Sequence, residues 1–287
     1  MNLIDIQGIL ASRGSYDGKI DGIMGPQTRS AIVNIIVAAG VNARGWTDDR
    51  LTVGAMQALA RDAKIETGAI DGHMGPQTRY AIEVYEAREK NDGKPVPAVE
   101  NWRDDRKAPP AKPTRPLPPP ITSSQVSAPS LVPKWPLQSR MTAFYGPPGS
   151  DQVSLTLPYV QRLAWDMSSK VSRVSCHRWV IDNLERIFVR TLDHYGIDAI
   201  RELRLDRFGG CLNVRKMRGG SAWSMHSWGC AWDMDPDHNP LKAHRAQATL
   251  DNPEYDPFWR FVYDEGAISL GRERDYDWMH FQFARLK

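Results

Sequence analysis

Cysteine is scarce. The chain of 287 residues holds only Cys176, Cys211 and Cys230. The count is odd and no two form a CxxC pair, which argues against a disulfide framework. Long apolar runs are missing too, and no stretch approaches the roughly 18 residues of a membrane span. The opening Met1-Asn2-Leu3-Ile4-Asp5-Ile6 lacks the basic and apolar regions of a secretory signal. The expectation is a soluble protein made without such a signal, in a reducing compartment. Net charge is small as well. Thirty-seven basic against 34 acidic residues leave +3. That is too little for a dedicated nucleic-acid binder, whose basic side chains must neutralise many phosphates. What is present is 41% hydrophobic residues, enough to bury cores. At roughly 100–200 residues per domain, the length suggests about two domains.

Proline locates the boundary between them. Twelve of the 21 prolines fall between Pro95 and Pro136. Such a stretch lacks backbone donors and cannot continue a helix or a central strand. It reads as an extended polyproline II spacer, with a PxxP ligand for a partner domain as the competing reading. The division is residues 1–90, a linker at 91–130 and a second domain at 131–287. The linker region 91–137 carries seven basic and four acidic residues, so the positive excess belongs to the tether.

Before the linker lies an internal repeat. Residues 20–32 read IDGIMGPQTRSAI and residues 70–82 read IDGHMGPQTRYAI, with 11 of 13 positions identical at an offset of 50. A fixed offset of this size signals duplicated supersecondary units. Asp21-Gly22 and Asp71-Gly72 mark turns, glycine supplying the positive φ. Pro26 and Pro76 stand near helix starts, with Thr28 and Thr78 capping or beginning the helices. Ala31, Ile32 and Ile35, like Ala81, Ile82 and Tyr85, have helical spacing. Upstream, Ile6 and Leu10 in one copy and Met56, Leu59 and Ala63 in the other show helical patterns. The expectation is two helix–turn–helix units in one small all-α bundle. Asp21, Gly22, Gly25 and Thr28 read mainly as turn builders. Gln27, Gln77, Arg29 and Arg79 are expected at the surface, able to bind a carboxylate or sugar.

This repeat resembles the peptidoglycan-binding-domain family of small helical modules, over about 90 residues in two copies. The resemblance implies a non-catalytic anchor on bacterial cell wall.

The second domain opens with a helical pattern from Cys176 to Tyr195, carrying Val180, Leu184, Ile187, Phe188 and Leu192. Tyr195-Gly196 and Asp198 look like its stop. Cys176 and His177 read as core or capping residues. The informative run is Ser224-Met-His-Ser-Trp-Gly-Cys-Ala-Trp-Asp233. Gly229 suggests a bend, and Cys230 to Met234 a strand. Alternation puts Ala231, Asp233 and Asp235 on one face and Cys230, Trp232 and Met234 on the other. A carboxylate among Trp, Cys and Met needs a metal or a histidine as partner. A second run, Asp277-Trp-Met-His-Phe-Gln-Phe283, embeds His280 in a further apolar strand. Two His and one Asp make a three-ligand set that leaves a fourth position open, as in catalytic zinc sites. Buried His–Asp hydrogen-bonded pairs are the alternative that residues alone leave open.

SMHSWGCAWD, followed by Asp277-Trp-Met-His280, resembles the SxHxxGxAxD signature and later DxxH of a zinc peptidase family. That family includes VanY-type D-alanyl-D-alanine carboxypeptidases and phage L-alanyl-D-glutamate endopeptidases. The resemblance covers about 150 residues and implies an α+β domain of the hedgehog/DD-peptidase type, so the whole chain is multidomain. It implies one zinc ion on His226, Asp233 and His280. It implies Asp277 as general base, Arg215 as the oxyanion arginine with Arg218 as the fallback and a substrate contact, and Ser224 as a supporting catalytic residue. Trp223, Trp228, Trp232 and Trp278 crowd the motif. Most read as packing, with Trp228 assigned to the substrate groove. Asp235-Pro-Asp-His-Asn-Pro240 reads as a turn, in which Asp235 shares the predicted face of Asp233 and could support the ligands. Asp rather than Glu at 277 favours the L-Ala–D-Glu bond over D-alanyl bonds.

A wall-binding module before such a domain, without an export signal, resembles phage endolysins. That implies a monomer made in the host cytoplasm that reaches the wall after holin-type release. The competing reading from another class is a catalytically silent zinc protein that binds the wall.

Overall fold

A computed structural model describes residues 1–100 and 135–286. The polyproline segment expected around 108–120 lies outside them. The chain divides into two compact units, one within 1–100 and one formed by 135–217 and 221–286.

The first unit is helical: α1 (Leu3–Ser12), α2 (Pro26–Ala38), α3 (Asp48–Asp62), α4 (Pro76–Glu89) and α5 (Pro97–Glu100). Asn2 and Asp5 form a reciprocal capping box at the start of α1, satisfying two backbone donors. In α2 and α4 the cap is Gly25 or Gly75, with proline at the first helical position. Thr28 and Thr78 therefore do not cap. They lie one turn into the helix, and each hydroxyl donates to the turn carbonyl five residues earlier, at 3.1 Å. Ile6, Leu10, Ile32, Ile36, Leu59 and Val84 form the core. Ile36 rather than Ile35 joins Ile32 as a fully buried residue of α2, four positions on and so on the same helix face. The unit extends beyond residue 90. Glu100 of α5, in what the proline content assigns to the linker, accepts from Arg88 Nη2 of α4 at 2.6 Å.

A glutamine that composition does not single out holds each turn. Gln7 Oε1 accepts from the Asp21 and Gly22 amides, and its Nε2 donates to Asp21 Oδ1, the Ile23 carbonyl and Thr28 Oγ1. Gln57 repeats this set on Asp71, Gly72, His73 and Thr78. Gln7 and Gln57 share the offset of 50, so the duplication reaches further back than the 13-residue match.

The second unit combines helices with a mixed six-stranded sheet of order β2-β1-β3-β4-β6-β5. After α6 (Met141–Tyr145), β1 (Gln152–Leu163) and β2 (Asp166–His177) form an antiparallel hairpin. The helix α7 (Ile181–Glu202) follows, then β3 (Arg207–Gly210), which runs parallel to β1. Next come β4 (Ala231–Met234), α8 (Asp256–Asp264), β5 (Ile268–Ser269), α9 (Leu270–Arg274) and β6 (His280–Gln282). Cys176 and His177 end β2 rather than begin α7, and pair with Val153 and Gln152. The expected helix stop at Gly196 is a kink, at φ 69° and ψ 164°, after which the helix resumes. Leu184, Ile187 and Phe188 of α7 pack with Phe258, Trp259 and Val262 of α8 in the core that holds Trp232 and Phe281. Trp232 stacks on Phe281 at 5.0 Å between ring centres. This is the apolar face of β4 and β6, and its opposite face is left for polar chemistry. Among the described residues no helix is long and apolar enough to cross a membrane.

Candidate metal centre

Strand β4 lies between β3 and β6, with Asp233 paired to His280 across the β4–β6 ladder. His226 comes from the short 3-10 turn Met225–Trp228, which ends at Gly229 in the left-handed region at φ 64°. A β-carbon at Gly229 would also lie 3.0 Å from the His177 amide nitrogen, so space adds to the preference for glycine that φ sets. This reversal brings His226 back over β4. The three side chains then converge. His226 Nε2, His280 Nδ1 and Asp233 Oδ1 lie 3.1 Å from one another, and all three residues are buried.

The proton positions follow from the outer partners. His226 Nδ1 is 2.7 Å from the Cys211 carbonyl, which can only accept, so Nδ1 holds the proton. His280 Nε2 is 3.1 Å from Gln282 Oε1. That amide is oriented by its own Nε2, which donates to the Ala284 carbonyl at 2.8 Å. The His280 proton therefore sits on Nε2. In their neutral forms both imidazoles point lone pairs at a carboxylate oxygen. Three acceptors that face one another need a cation between them. The 3.1 Å edges are close to the about 3.3 Å expected between ligand atoms about 2.0–2.1 Å from a tetrahedral ion. The buried group can thus hold a metal ion.

Electrostatics point the same way. Burial raises the Asp233 carboxyl, but the two imidazoles outweigh it and hold the group below the usual carboxylate range. The three cysteines are buried free thiols, and burial pushes Cys176 up to about 12. They are protonated and poor ligands.

Asp277 is buried beside the cluster, and its charge acts on the His280 ring. Its backbone is left-handed at φ 55°, as is that of Asp275. A non-glycine residue held there often marks a functional turn. The conformation is fixed by the Asp277 amide donating to the Leu241 carbonyl and the His280 amide donating to the Asp277 carbonyl, both at 3.0 Å.

Arg215 is tied to the His226 turn by its backbone. Its amide donates to Ser227 Oγ at 3.1 Å, and Ser227 Oγ donates back to its carbonyl at 2.8 Å. Its Nη1 donates to the Lys216 carbonyl at 3.1 Å. Ser224 is buried at the start of the turn, and its side chain makes no cap. The hydroxyl that braces the turn belongs to Ser227, which sequence reasoning missed. Arg218 is half-buried in the loop between Met217 and Trp223 and is not one of the three converging residues. Trp228 is buried and donates to the Gly146 carbonyl at 2.8 Å. Its ring also lines an open groove with Met141, Met217, Trp223 and Met225, none of them a cluster member.

Asp235 does not support the ligands. Its left-handed backbone turns its carboxylate to His238 Nδ1 at 2.9 Å and Asn239, which builds the expected turn. His177 is a core residue, between the Tyr145 carbonyl and the Trp179 amide. In the helical unit, Arg29 is exposed and pairs with Asp48, and Arg79 is exposed. Gln27 is exposed, but Gln77 is buried and donates to the Glu66 carbonyl at 2.6 Å.

Sequence reasoning also missed Gln282, the Cys211 carbonyl and Gly209. A β-carbon on Gly209 would lie 2.7 Å from the Asp233 β-carbon. The Gln282 signal was there, two residues beyond His280 on the same strand face. No family model, curated protein or solved structure matches the chain.

Proposed function

We propose that the chain is a peptidoglycan hydrolase of the endolysin kind, with a zinc peptidase domain and a helical wall anchor. The observation that carries this reading is the convergence of two imidazole lone pairs and one carboxylate oxygen on a single point. Two nitrogens and one oxygen are a donor set suited to zinc, with room for a fourth ligand. His226, Asp233 and His280 would hold the ion. When bound, zinc supplies Lewis acidity at neutral pH. Asp277, buried beside His280, would take the proton of the attacking water and pass it to the leaving amine. Arg215 would donate to the carbonyl oxygen as its negative charge develops. Ser227 fixes the backbone from which Arg215 projects, and Ser224 begins the turn that delivers His226.

The substrate reading is the L-Ala–D-Glu bond of the stem peptide, favoured by Asp rather than Glu at 277. The chain would be made in a host cytoplasm and reach the wall after membrane permeabilisation. Digestion of purified meso-diaminopimelate peptidoglycan, with and without chelator, tests the reading by mass spectrometry. Free stem peptides beginning with D-Glu are expected. Loss of D-Ala, or split cross-links with stems still on glycan, would move the activity to the D-alanyl side. Wall binding without chelator-sensitive products would favour a silent binding protein. Asp277→Asn should keep the metal and lose activity by about 100-fold or more.

A further inference from the structure

The two repeats are built alike but covered differently. Around the second turn the protein covers itself. Ile70 is 5% exposed, and Arg50 Nε donates to the Asp71 carbonyl at 2.9 Å. Gly72 lies under the Arg50 stem and the Trp46 ring, since a β-carbon there would come within 2.4 Å of Arg50 Cγ and 3.0 Å of the indole. Around the first turn the same surface is bare. Ile20 is 52% exposed, Ile23 is 65% exposed, and Ile4, which lies over Gly22, is 50% exposed. Among the described residues no donor reaches the Asp21 carbonyl, the counterpart of the one Arg50 occupies. Gln7 and Gln57 make the same bonds beneath both turns, so building the turn does not require the bare isoleucines.

We propose that the first repeat alone carries the wall-binding subsite, formed by Ile4, Ile20, Ile23, the Asp21 carbonyl and Lys19. The inference rests on the proposed wall-directed function. The second repeat shows what this surface accepts: cover over the isoleucine before the Asp-Gly turn, and one N–H aimed at the aspartate carbonyl. Peptidoglycan offers both at its lactyl-peptide junction. The N-acetyl, lactyl and L-alanine methyls cover the isoleucines, and an amide N–H donates to the Asp21 carbonyl. The stem peptide is anionic, and exposed Lys19 stands next to Ile20 where the second repeat has Ala69. Grouped apolar side chains at the surface mark interaction sites. The duplicated module therefore gives one wall contact per chain and not two, which removes any gain from bivalency within the module.

The test is sedimentation of the full-length protein with insoluble sacculi, on ice so that cleavage is slow. Wild type is compared with the double variant Ile20→Ser/Ile23→Asp and with Ala69→Asp in the second repeat. All three positions are exposed, and unchanged thermal unfolding verifies the fold. The double variant should bind at least tenfold more weakly, and Ala69→Asp should bind like wild type. Equal binding by wild type and the double variant overturns the subsite while the wall reading stands. An equal loss with Ala69→Asp overturns the single-site assignment. If the face serves self-association instead, wild type is a dimer that the double variant dissolves without loss of wall binding, which also overturns the proposal. If wild type fails to sediment, the wall reading itself falls.

Discussion

Asp233 and His280 stand directly opposite each other in the β4–β6 ladder, and their side chains meet at 3.1 Å. Cross-strand partners share a sheet face, so two of the three candidate ligands are set by backbone pairing alone. The third, His226, is delivered by a turn whose reversal depends on Gly229. Backbone pairing and the turn thus place all three donor atoms, and such preorganisation favours tight and selective binding.

Gln282 should matter nearly as much as a ligand. It accepts the His280 Nε2 proton and so aims the Nδ1 lone pair inward. Gln282→Leu is expected to lower metal affinity about 10- to 100-fold, as removal of such outer partners does. Competition with a chromophoric chelator measures this. Unchanged affinity would mean that the amide does not orient the ring.

Gly209 should be intolerant for a different reason. A methyl there would press on the Asp233 β-carbon at 2.7 Å and on its carbonyl oxygen at 3.1 Å. Strands β3 and β4 would have to separate, carrying Asp233 away from the two imidazoles. Gly209→Ala should therefore weaken metal binding at least about tenfold without touching a ligand atom. Calorimetric metal titration of the variant decides it, and wild-type affinity would refute the packing argument.

The helical unit depends on its two glutamines. Gln7 is fully buried and ties α1 to the first turn through both amide atoms. Gln7→Ala should cost about 2–4 kcal/mol, since it strands several buried polar groups at once. Gln57→Ala should behave alike. Urea unfolding of each variant reads the loss, and a change below about 0.5 kcal/mol would contradict the assigned role.

The pH response of the metal-free protein has a defined sign. Burial pulls the His280 ring down, but the hydrogen bond and charge of Asp233, with Asp277, outweigh it and hold its pKa above 6.5. A folded value above the unfolded one contributes stability that is complete below about 6.5 and is lost as pH rises through the folded value. Metal binding needs the neutral ring, so it grows in the opposite direction. The gap in Tm between zinc-loaded and chelated protein should widen from about pH 6 to about pH 8. Thermal scans at both values measure it, and a narrowing gap would be inconsistent with this coupling.

The duplicated turns were legible in the sequence because they are local, whereas the three candidate ligands, with His280 lying 47 residues beyond Asp233, were named through the resemblance of their two motifs. Asp-Gly and Gly-Pro punctuate the chain, and period-2 alternation around Asp233 separates a polar face from Trp232 and Met234. What was hidden depends on distance along the chain. Strand β2 reads poorly because most of its exposed positions are polar and its pairing with β1 shifts between Thr156 and Gln161. That concealed the role of Cys176 and His177 as strand residues. The resemblance drew attention to Ser224 and not to Ser227, because only the fold brings Arg215 against Ser227. Trp228 was assigned to a substrate groove from its place in the motif, and the commitment of its indole N–H to Gly146, 82 positions away, was not visible there. Gln7 and Gln57 could have been found by extending the repeat backwards at the same offset.

The central claim is that His226, Asp233 and His280 hold one metal ion. It is tested most directly by elemental analysis of the full chain after loading with zinc and exhaustive dialysis. One zinc per chain is predicted for wild type, and close to none for His226→Ala, Asp233→Ala or His280→Ala variants that remain folded by circular dichroism. A wild-type protein that retains no metal, or variants that retain a full equivalent, would contradict the account.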